Sequence, residues 1–569
     1  IGGDENPFRR PIDYELKRHL YANDILYAEA PFGEVFFPRP TVVYSHVRVK
    51  DYVPPGVDRT VNGTGESVFE YYTAYDYPIK TEYTPPQKVE EKPSPIKSLF
   101  SMKSTYELAM SQGYSIVLND MHGKPRAITI YGEGKSGDDF ISKVEYFYKS
   151  TGTYHKELDN YIKVLNPEGG EETVLANVDF DMVHDTKQTL TETTNRTYQA
   201  NVNTIMAPFI VPFPIPIPSF FTQKSEDTKR HKMSVITKVV QKYGILDKTI
   251  AEDQRARIET QNKLFDRETG QVLLSEVTNQ YDKNNDHQSM SYPAHWVYDR
   301  MGPAYRNIDK EFIEQSAGDV VNTDGLIQSP YDQHFVVGDE VMVYDNNGNP
   351  DEKYWVIYAD MLEYGTGLFL IDRDGWRYDN NGTYTFQIIR SGRRNQAGEV
   401  IGGFTAKQPI GSSWKNTNPG SFKVLASSAQ EFTERAHIQE GVCNLTRVNP
   451  FIWGVMGNWR STKDWVYNVE REYTAGNLKN DGYFNLRPYW VWNSGSGAWE
   501  VTSNLDYWQT VSENTLHHAS GFTIENRNEI GTYVSQLATL NNTAPKAMAN
   551  NARYREIVNE SFEDFNMLD

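Results

Sequence analysis

The most apolar stretch of the chain, Met206-Ala-Pro-Phe-Ile-Val-Pro-Phe-Pro-Ile-Pro-Ile-Pro-Ser-Phe-Phe221, is also the one with the fewest structural options. Pro208, Pro212, Pro214, Pro216 and Pro218 forbid a helix, so the run cannot span a bilayer as one. They also remove ladder donors, which rules out a central strand. What remains is an extended path of roughly 50 Å at ~3.1 Å per residue. Phe209, Val211, Phe213, Ile215 and Ile217 lie between the prolines and form a candidate interaction segment. Water does not tolerate so large an apolar stripe, and lipid does not tolerate its unpaired carbonyls. The expectation is burial against protein, as a crossover between sheets, a thread through a shell interior, or a clasp on a neighbouring subunit. A membrane-inserting tip is the rival reading.

Elsewhere the dominant period is two. Val42–Val49, Val68–Tyr75, Tyr114–Leu118, Ala127–Tyr131, Ile141–Tyr148 and Val235–Tyr243 alternate as half-buried strands do. The 37 Tyr and 11 Trp suit sheet surfaces that are apolar at one end and wet at the other. Asn119–Pro125 reads as a turn that returns Tyr114–Leu118 into Ala127–Tyr131. Asn347-Gly348 and Asn381-Gly382 are type I′ hairpin signals. Helix is expected only in short pieces near 101–112 (Met102, Leu108 and Met110, with Gly113 as a stop), 309–317, and 546–558 after Pro545. The fold class is therefore mainly β and multi-domain: hairpin-rich antiparallel sheets, either a strip or stacked domains, with a small β-barrel insert and a few short helices.

The organisation predicted is an N-terminal β-region at 1–83 and a charged, Pro-rich linker at 84–96. A hairpin region at 97–233 carries the apolar segment, and a second, tighter hairpin region follows at 234–335. A small barrel-like domain takes 336–410, with its strands between Val336 and Arg390. A loop- and Trp-rich region with a C-terminal helix fills 411–569. The chain opens on Ile1 rather than Met, as a processed product or a stretch of a longer polypeptide would.

The net charge of −19 leaves no basic field to neutralise phosphates, which argues against nucleic acid. The single cysteine, Cys443, allows no intrachain disulfide, and a nearly Cys-free exported chain of this size looks bacterial. No signal peptide or stable membrane span is visible.

Near 264–282 the chain repeats a unit: an aromatic residue, an Asp, a polar turn ending in Gly, then an alternating strand. Phe265-Asp266 and Tyr281-Asp282 recur in this way, with weaker examples at 114–148 and 235–250. The unit resembles the YD repeats of RHS proteins and insecticidal toxin-complex components. A resemblance over nearly the whole chain is to very large secreted or cell-surface proteins of Bacteroidota associated with type IX secretion. It rests on Asn119–Lys124, His295–Tyr305, Ile389–Asn395, Gly457–Arg460, Glu525–Gly531 and Ala552–Ile557 with Phe562–Asp564. It implies export, display at the outer surface, and no catalytic site to carry over.

The residues themselves offer little catalytic chemistry. No G-x-S-x-G, H-E-x-x-H, P-loop or G-x-G-x-x-G constellation is present. His184 within Asp179–Asp185 reads as part of an alternating strand rather than a metal cluster. Asp282–Asp286 and Asp345–Asn349 resemble calcium loops but lack EF-hand spacing, and hairpin turns account for both. No cofactor is expected, with calcium at these loops as the one ion left open. Arg390, Arg393 and Arg394 form a basic island that either pairs with acidic neighbours or meets an anionic polymer. Trp453, Trp459, Trp465, Trp490, Trp492, Trp499 and Trp508 are expected mostly buried, with sugar stacking as the alternative. The expected function is a non-catalytic structural or adhesive segment of an appendage, stalk or shell. Its partners would be further copies of itself, neighbouring domains, and surface glycans or cells. The alternatives are an RHS-like toxin cocoon and a carbohydrate-binding or carbohydrate-active module.

Overall fold

The structure is a computed structural model. It describes residues 12–14, 26–28, 42–50, 52, 54–56, 65–83, 103–154, 156–207, 213–253, 256–278, 286–358, 366–379, 382–394, 398–406, 423–434, 448–470, 482–518, 521–538 and 544–558. The 84–96 linker lies outside these. The fold is mainly β, and no helix of seven or more residues occurs among the described residues. None there is long and apolar enough to cross a membrane. The chain forms two compact units, each discontinuous in sequence: 1–160 with 175–246, and 161–174 with 247–569.

The first unit holds two sheets. One is an antiparallel row of β1 (His46–Lys50), β2 (Glu66–Tyr71), β5 (Pro125–Tyr131) and β6 (Phe140–Tyr148). The other has the order β7–β8–β4–β3, from β3 (Lys80–Tyr83), β4 (Lys103–Asn119), β7 (Val178–Ala207) and β8 (Phe213–Lys242). β4 and β5 are not partners: the turn at 119–125 hands the chain from one sheet to the other, so Ala127–Tyr131 is no return strand. β4 runs parallel to β8 from Lys103↔Glu226 to Asn119↔Lys242, within sheets that are otherwise largely antiparallel.

Strand β4 also replaces the helix expected at 101–112. Tyr106, Leu108 and Met110 are spaced by two, the strand period, and Gly113 lies inside the strand opposite Ile236 rather than ending a helix. At 309–317 the chain forms only the short strand Glu311–Ile313, after Asp309 takes a left-handed φ of 62° that no α-helix accepts. At 546–558 it forms the strand Pro545–Asn550 and one 3₁₀ turn, Tyr554–Glu556. Pro545 opens the last strand of a row, where a missing donor costs little.

The second unit is built on a long antiparallel row. Its strands are β9 (Leu246–Asp253), β10 (Ala256–Asp266), β11 (Val272–Val277), β12 (His287–Pro293), β18 (Val400–Ala406), β19 (Lys423–Thr433), β20 (Arg460–Tyr467), β21 (Trp508–His517), β22 (Thr523–Asn528), β23 (Tyr533–Ala538) and β24 (Pro545–Asn550). Between β12 and β18 sits a five-stranded half-barrel ordered β13–β17–β14–β15–β16. These are Glu311–Ile313, Thr385–Arg390, Glu340–Tyr344, Pro350–Tyr358 and Leu368–Ile371. It is not a closed barrel. Bridges from Leu326 to Phe369 and from Arg377 to Ile371 occupy the β16 edge, where closure would require a strand. Val341, Val343, Val356, Leu370, Phe386 and Ile388 fill one face, joined by Val320, Val321 and Ile327 from before the expected start at Val336. Trp355, Ile357, Phe369 and Ile371 bury the other face.

The hairpins share a device. Asn322–Gly325, Asp345–Gly348, Asp372–Gly375 and Asn528–Gly531 each begin with a side-chain oxygen that accepts backbone N–H groups further along its own turn. Each ends on a left-handed glycine. At 345–349 only Gly348 has positive φ and Asn347 does not, so the turn is type I with a glycine bulge rather than the type I′ expected from Asn-Gly. Asn381 lies outside the described residues.

Candidate functional site

The feature without an ordinary structural role is the long hairpin of β7 and β8. Thirty residues of each strand pair from Val178↔Lys242 to Ala207↔Phe213 with no bulge. At ~3.4 Å per residue the ladder runs about 100 Å. The apolar segment is neither a crossover nor a central strand. From Phe213 onward it is the returning limb of this hairpin, with β7 as its partner, and β4 joins only at Glu226. Phe213, Ile215 and Ile217 stand opposite Ala207, Ile205 and Asn203, which places them on one face. Phe209 and Val211 lie outside the described residues.

The prolines set the polarity of the ladder. Pro214, Pro216 and Pro218 stand opposite Met206, Thr204 and Val202. Lacking N–H, they fit the ladder only with their nitrogens turned away from β7. Backbone groups alternate in direction along an antiparallel strand. Even-numbered residues of β7 therefore direct their N–H and C=O to its outer edge, and odd-numbered ones bond β8. No strand pairs with that outer edge among the described residues.

The two faces differ near the base of the hairpin. Val235, Thr237 and Val239 are buried, on the same side as Tyr114 and Ile116 of β4. The opposite face exposes Phe180 (61%), Met182 (58%), Ile236 (43%) and Leu190 (48%). The Lys238 ammonium lies 5.4 Å over the Phe180 ring. His184 sits in β7 opposite Ile236, and no metal-binding group of His, Cys, Asp and Glu occurs among the described residues.

The basic island resolves differently. Arg390 is exposed (65%) and pairs with Glu340 at 3.0 Å across β17 and β14. Arg393, mostly buried, reaches Asp299 Oδ2 at 2.7 Å. Arg394 is half-buried, which lowers its pKa, and its backbone N–H donates to Arg300 O. Arg300 in turn pairs with Glu434 and lies 5.5 Å over the Trp459 ring. Glu434 also accepts the Gly457 N–H. Residues from 295–305, 389–394 and 457–460, separate in sequence, thus contribute to one node. At its centre Asp339 accepts from Val336, Asn307 and Gly392. Burial outweighs those bonds and pushes its carboxyl up to about 6. The island is not one exposed cationic surface.

The chain matches no protein-family model and no curated protein sequence.

Two other sequence candidates have structural roles. Asp266 of the aromatic-Asp-Gly unit is buried and accepts from Glu268 N, Thr269 N, Thr269 Oγ1 and Trp296 Nε1, with His295 Nε2 at 3.3 Å. Burial would raise its pKa, but the bonds from His295 and Thr269 prevail and hold it low. Asp345 spends its carboxylate on Asn347 and Asn349 of its own turn, as a hairpin turn does. Tyr281–Asp282 and most of the Asp282–Asp286 loop lie outside the described residues.

Of the tryptophans, Trp490, Trp499 and Trp508 are buried, and Trp459, Trp465 and Trp492 pack against the same core. Trp453 is exposed (54%). Trp376, which sequence reading passed over, is the most exposed of the described tryptophans (68%). The turns that carry them are joined by Asn449 Nδ2 donating to Asp372 O at 2.9 Å. Only the exposure of Trp376 distinguishes it, and period-two reading of a turn has no signal for that.

Proposed function

We propose that this chain is a non-catalytic structural and adhesive segment of a very large secreted or cell-surface protein, part of an appendage, stalk or shell that meets other copies, cells or surfaces. The observation that carries the reading is the long hairpin. Its ladder far exceeds what a local core needs; no strand pairs with its outer edge among the described residues, and the face near its base exposes Phe180, Met182 and Leu190. Long flat edges are templates for further strands and persist in proteins whose role is assembly. The resemblance to giant secreted proteins of Bacteroidota supports the same reading, with other copies and neighbouring domains as partners.

Contact with surface glycans has its own observation in favour. Trp376 and Trp453 project from turns pinned by Asp372 and Asn449, and indole faces held in place bind at a low ordering cost.

Display of the full chain on an otherwise non-adherent cell tests the proposal. Attachment to cells or glycan-coated surfaces should rise above that of cells displaying an unrelated acidic β-protein. No gain in attachment, or turnover of polysaccharide or ester substrates by the purified chain, would overturn it.

A further inference from the structure

We propose that β7 is the strand through which two copies of this chain join, edge to edge and antiparallel, about a two-fold axis at Thr194. The inference deepens the structural reading above and names the partner as a second copy.

The outer edge of β7 is the one with no strand partner among the described residues. The other outer edge of the hairpin is blunted at its distal end by Pro214, Pro216 and Pro218, whose missing donors all fall there. Thirty residues of β7 contain no proline and no bulge. Pairing through this edge is closed after two copies, because the edge is used up and the proline edge adds nothing.

A two-fold axis normal to the sheet leaves each face on its own side, so facing residues must share parity. With Thr194 on the axis, Glu192 faces Arg196 twice, Leu190 faces Tyr198, and Thr191 faces Thr197. Further out, Val183 faces Ile205 and Met182 faces Met206. No like charges meet. An axis at Glu192 or at Lys187 instead sets that charge against itself. Within one chain, Arg196 stands opposite Lys224 of β8 in the register, and the axis at Thr194 sets Glu192 of the second copy opposite Arg196 on its other side. Glu192 and Leu190 are both exposed in the single chain.

The overlap satisfies the edge. Even-numbered residues from Met182 to Met206 each offer one donor and one acceptor, giving about 26 backbone hydrogen bonds across the dyad. Phe180, Met182 and Leu190 of both copies fall on the same face of the joined sheet.

Charge exchange in the full chain tests the pairing, read by sedimentation equilibrium with circular dichroism as the folding check. The unaltered chain should be a dimer. Glu192→Arg and Arg196→Glu should each weaken dimerisation about tenfold, since each sets like charges opposite twice. Glu192→Arg combined with Arg196→Glu should restore it. A monomeric unaltered chain, unaffected single variants, or a folded double variant that stays weak would each overturn the proposal. Oxidative crosslinking covers any variant that misfolds. On a Cys443→Ser background, Thr194→Cys should crosslink to its own counterpart, and Val178→Cys, beyond the overlap, should not. The reverse pattern refutes the axis. Attachment without dimerisation would sink this inference and leave the adhesive reading standing; dimerisation without attachment would do the opposite.

Discussion

The long hairpin and the half-barrel are both antiparallel β, yet they are held by different forces. In the half-barrel, β15 (Pro350–Tyr358) runs Tyr354-Trp-Val-Ile357 with every side chain buried, and the sheet has apolar clusters on both faces. Its strands are short and its turns are pinned by Asp345 and Asp372. In the hairpin, the outer face of β7 is exposed at Phe180, Met182 and Leu190, and the ladder itself is the continuous element. Side-chain packing fixes register where one face is buried. Where it is not, backbone bonds and cross-strand pairs must do so, and register then depends on a partner. A region of the second kind gains most from association.

Phe386 is fully buried between Val341, Val343 and Tyr378, so Phe386→Ala should cost about 3–5 kcal/mol in urea denaturation followed by tryptophan fluorescence. Asp266→Ala strands Trp296 Nε1 and two turn N–H groups, and should cost on the order of 3 kcal/mol. A loss under about 1 kcal/mol for Phe386→Ala would show that packing does not hold the half-barrel, and one for Asp266→Ala that its bonds do not hold the turn after β10.

Asp339 gives a pH signature. Its folded carboxyl titrates at about 6, above the ~3.9 of an unfolded Asp, so the folded state binds more protons between these values. Its contribution is favourable at pH 4 and is lost as pH rises through 6, by on the order of 2–3 kcal/mol. Asp339→Asn should flatten that window in denaturation series at pH 4 to 7. An unchanged slope would place the titrating group elsewhere.

The smaller effects sharpen the contrast. Asp345→Ala removes the acceptor for Asn347 and Asn349 and should cost about 1 kcal/mol. Leu190→Ala on the exposed face of the hairpin should change the stability of the single chain by less than about 0.5 kcal/mol. A Leu190→Ala cost comparable to that of Phe386→Ala, measured at concentrations where the chain is monomeric, would mean the hairpin has a hidden core.

Much of this was legible in the sequence, within the limits of a period. Alternation locates β5 and the proximal half of β8, because one face of each is buried, and it also locates β6, whose side chains are mostly half-buried. It does not say which strand pairs with which. The parallel pairing of Glu226–Lys242 with Lys103–Asn119 joins stretches far apart in sequence, and no local pattern encodes it. The same blindness reads the stretch with Met102, Leu108 and Met110 as a helix, although Lys103–Asn119 is a strand. The prolines at 214, 216 and 218 excluded a central strand, and the structure agrees, but the thirty-residue partner strand was unmarked. Arg393 and Arg394 were visible as charge, whereas Asp299, Asp339 and Glu434, which define the node around them, were not. The recurring Asx-x-x-Gly turn was in plain sight at 322, 345, 372 and 528, yet of these four only Asp345–Asn349 reads as a hairpin turn from the sequence.

Residue-resolved amide hydrogen exchange along β7 tests the central claim, that the hairpin is a backbone ladder completed by a second copy. Odd-numbered residues donate to β8, and even-numbered ones face the outer edge. At high concentration both sets from Met182 to Met206 should exchange slowly, and dilution into monomer should speed the even-numbered amides alone. Even-numbered amides that exchange fast at every concentration would contradict the account, as would two sets that never separate.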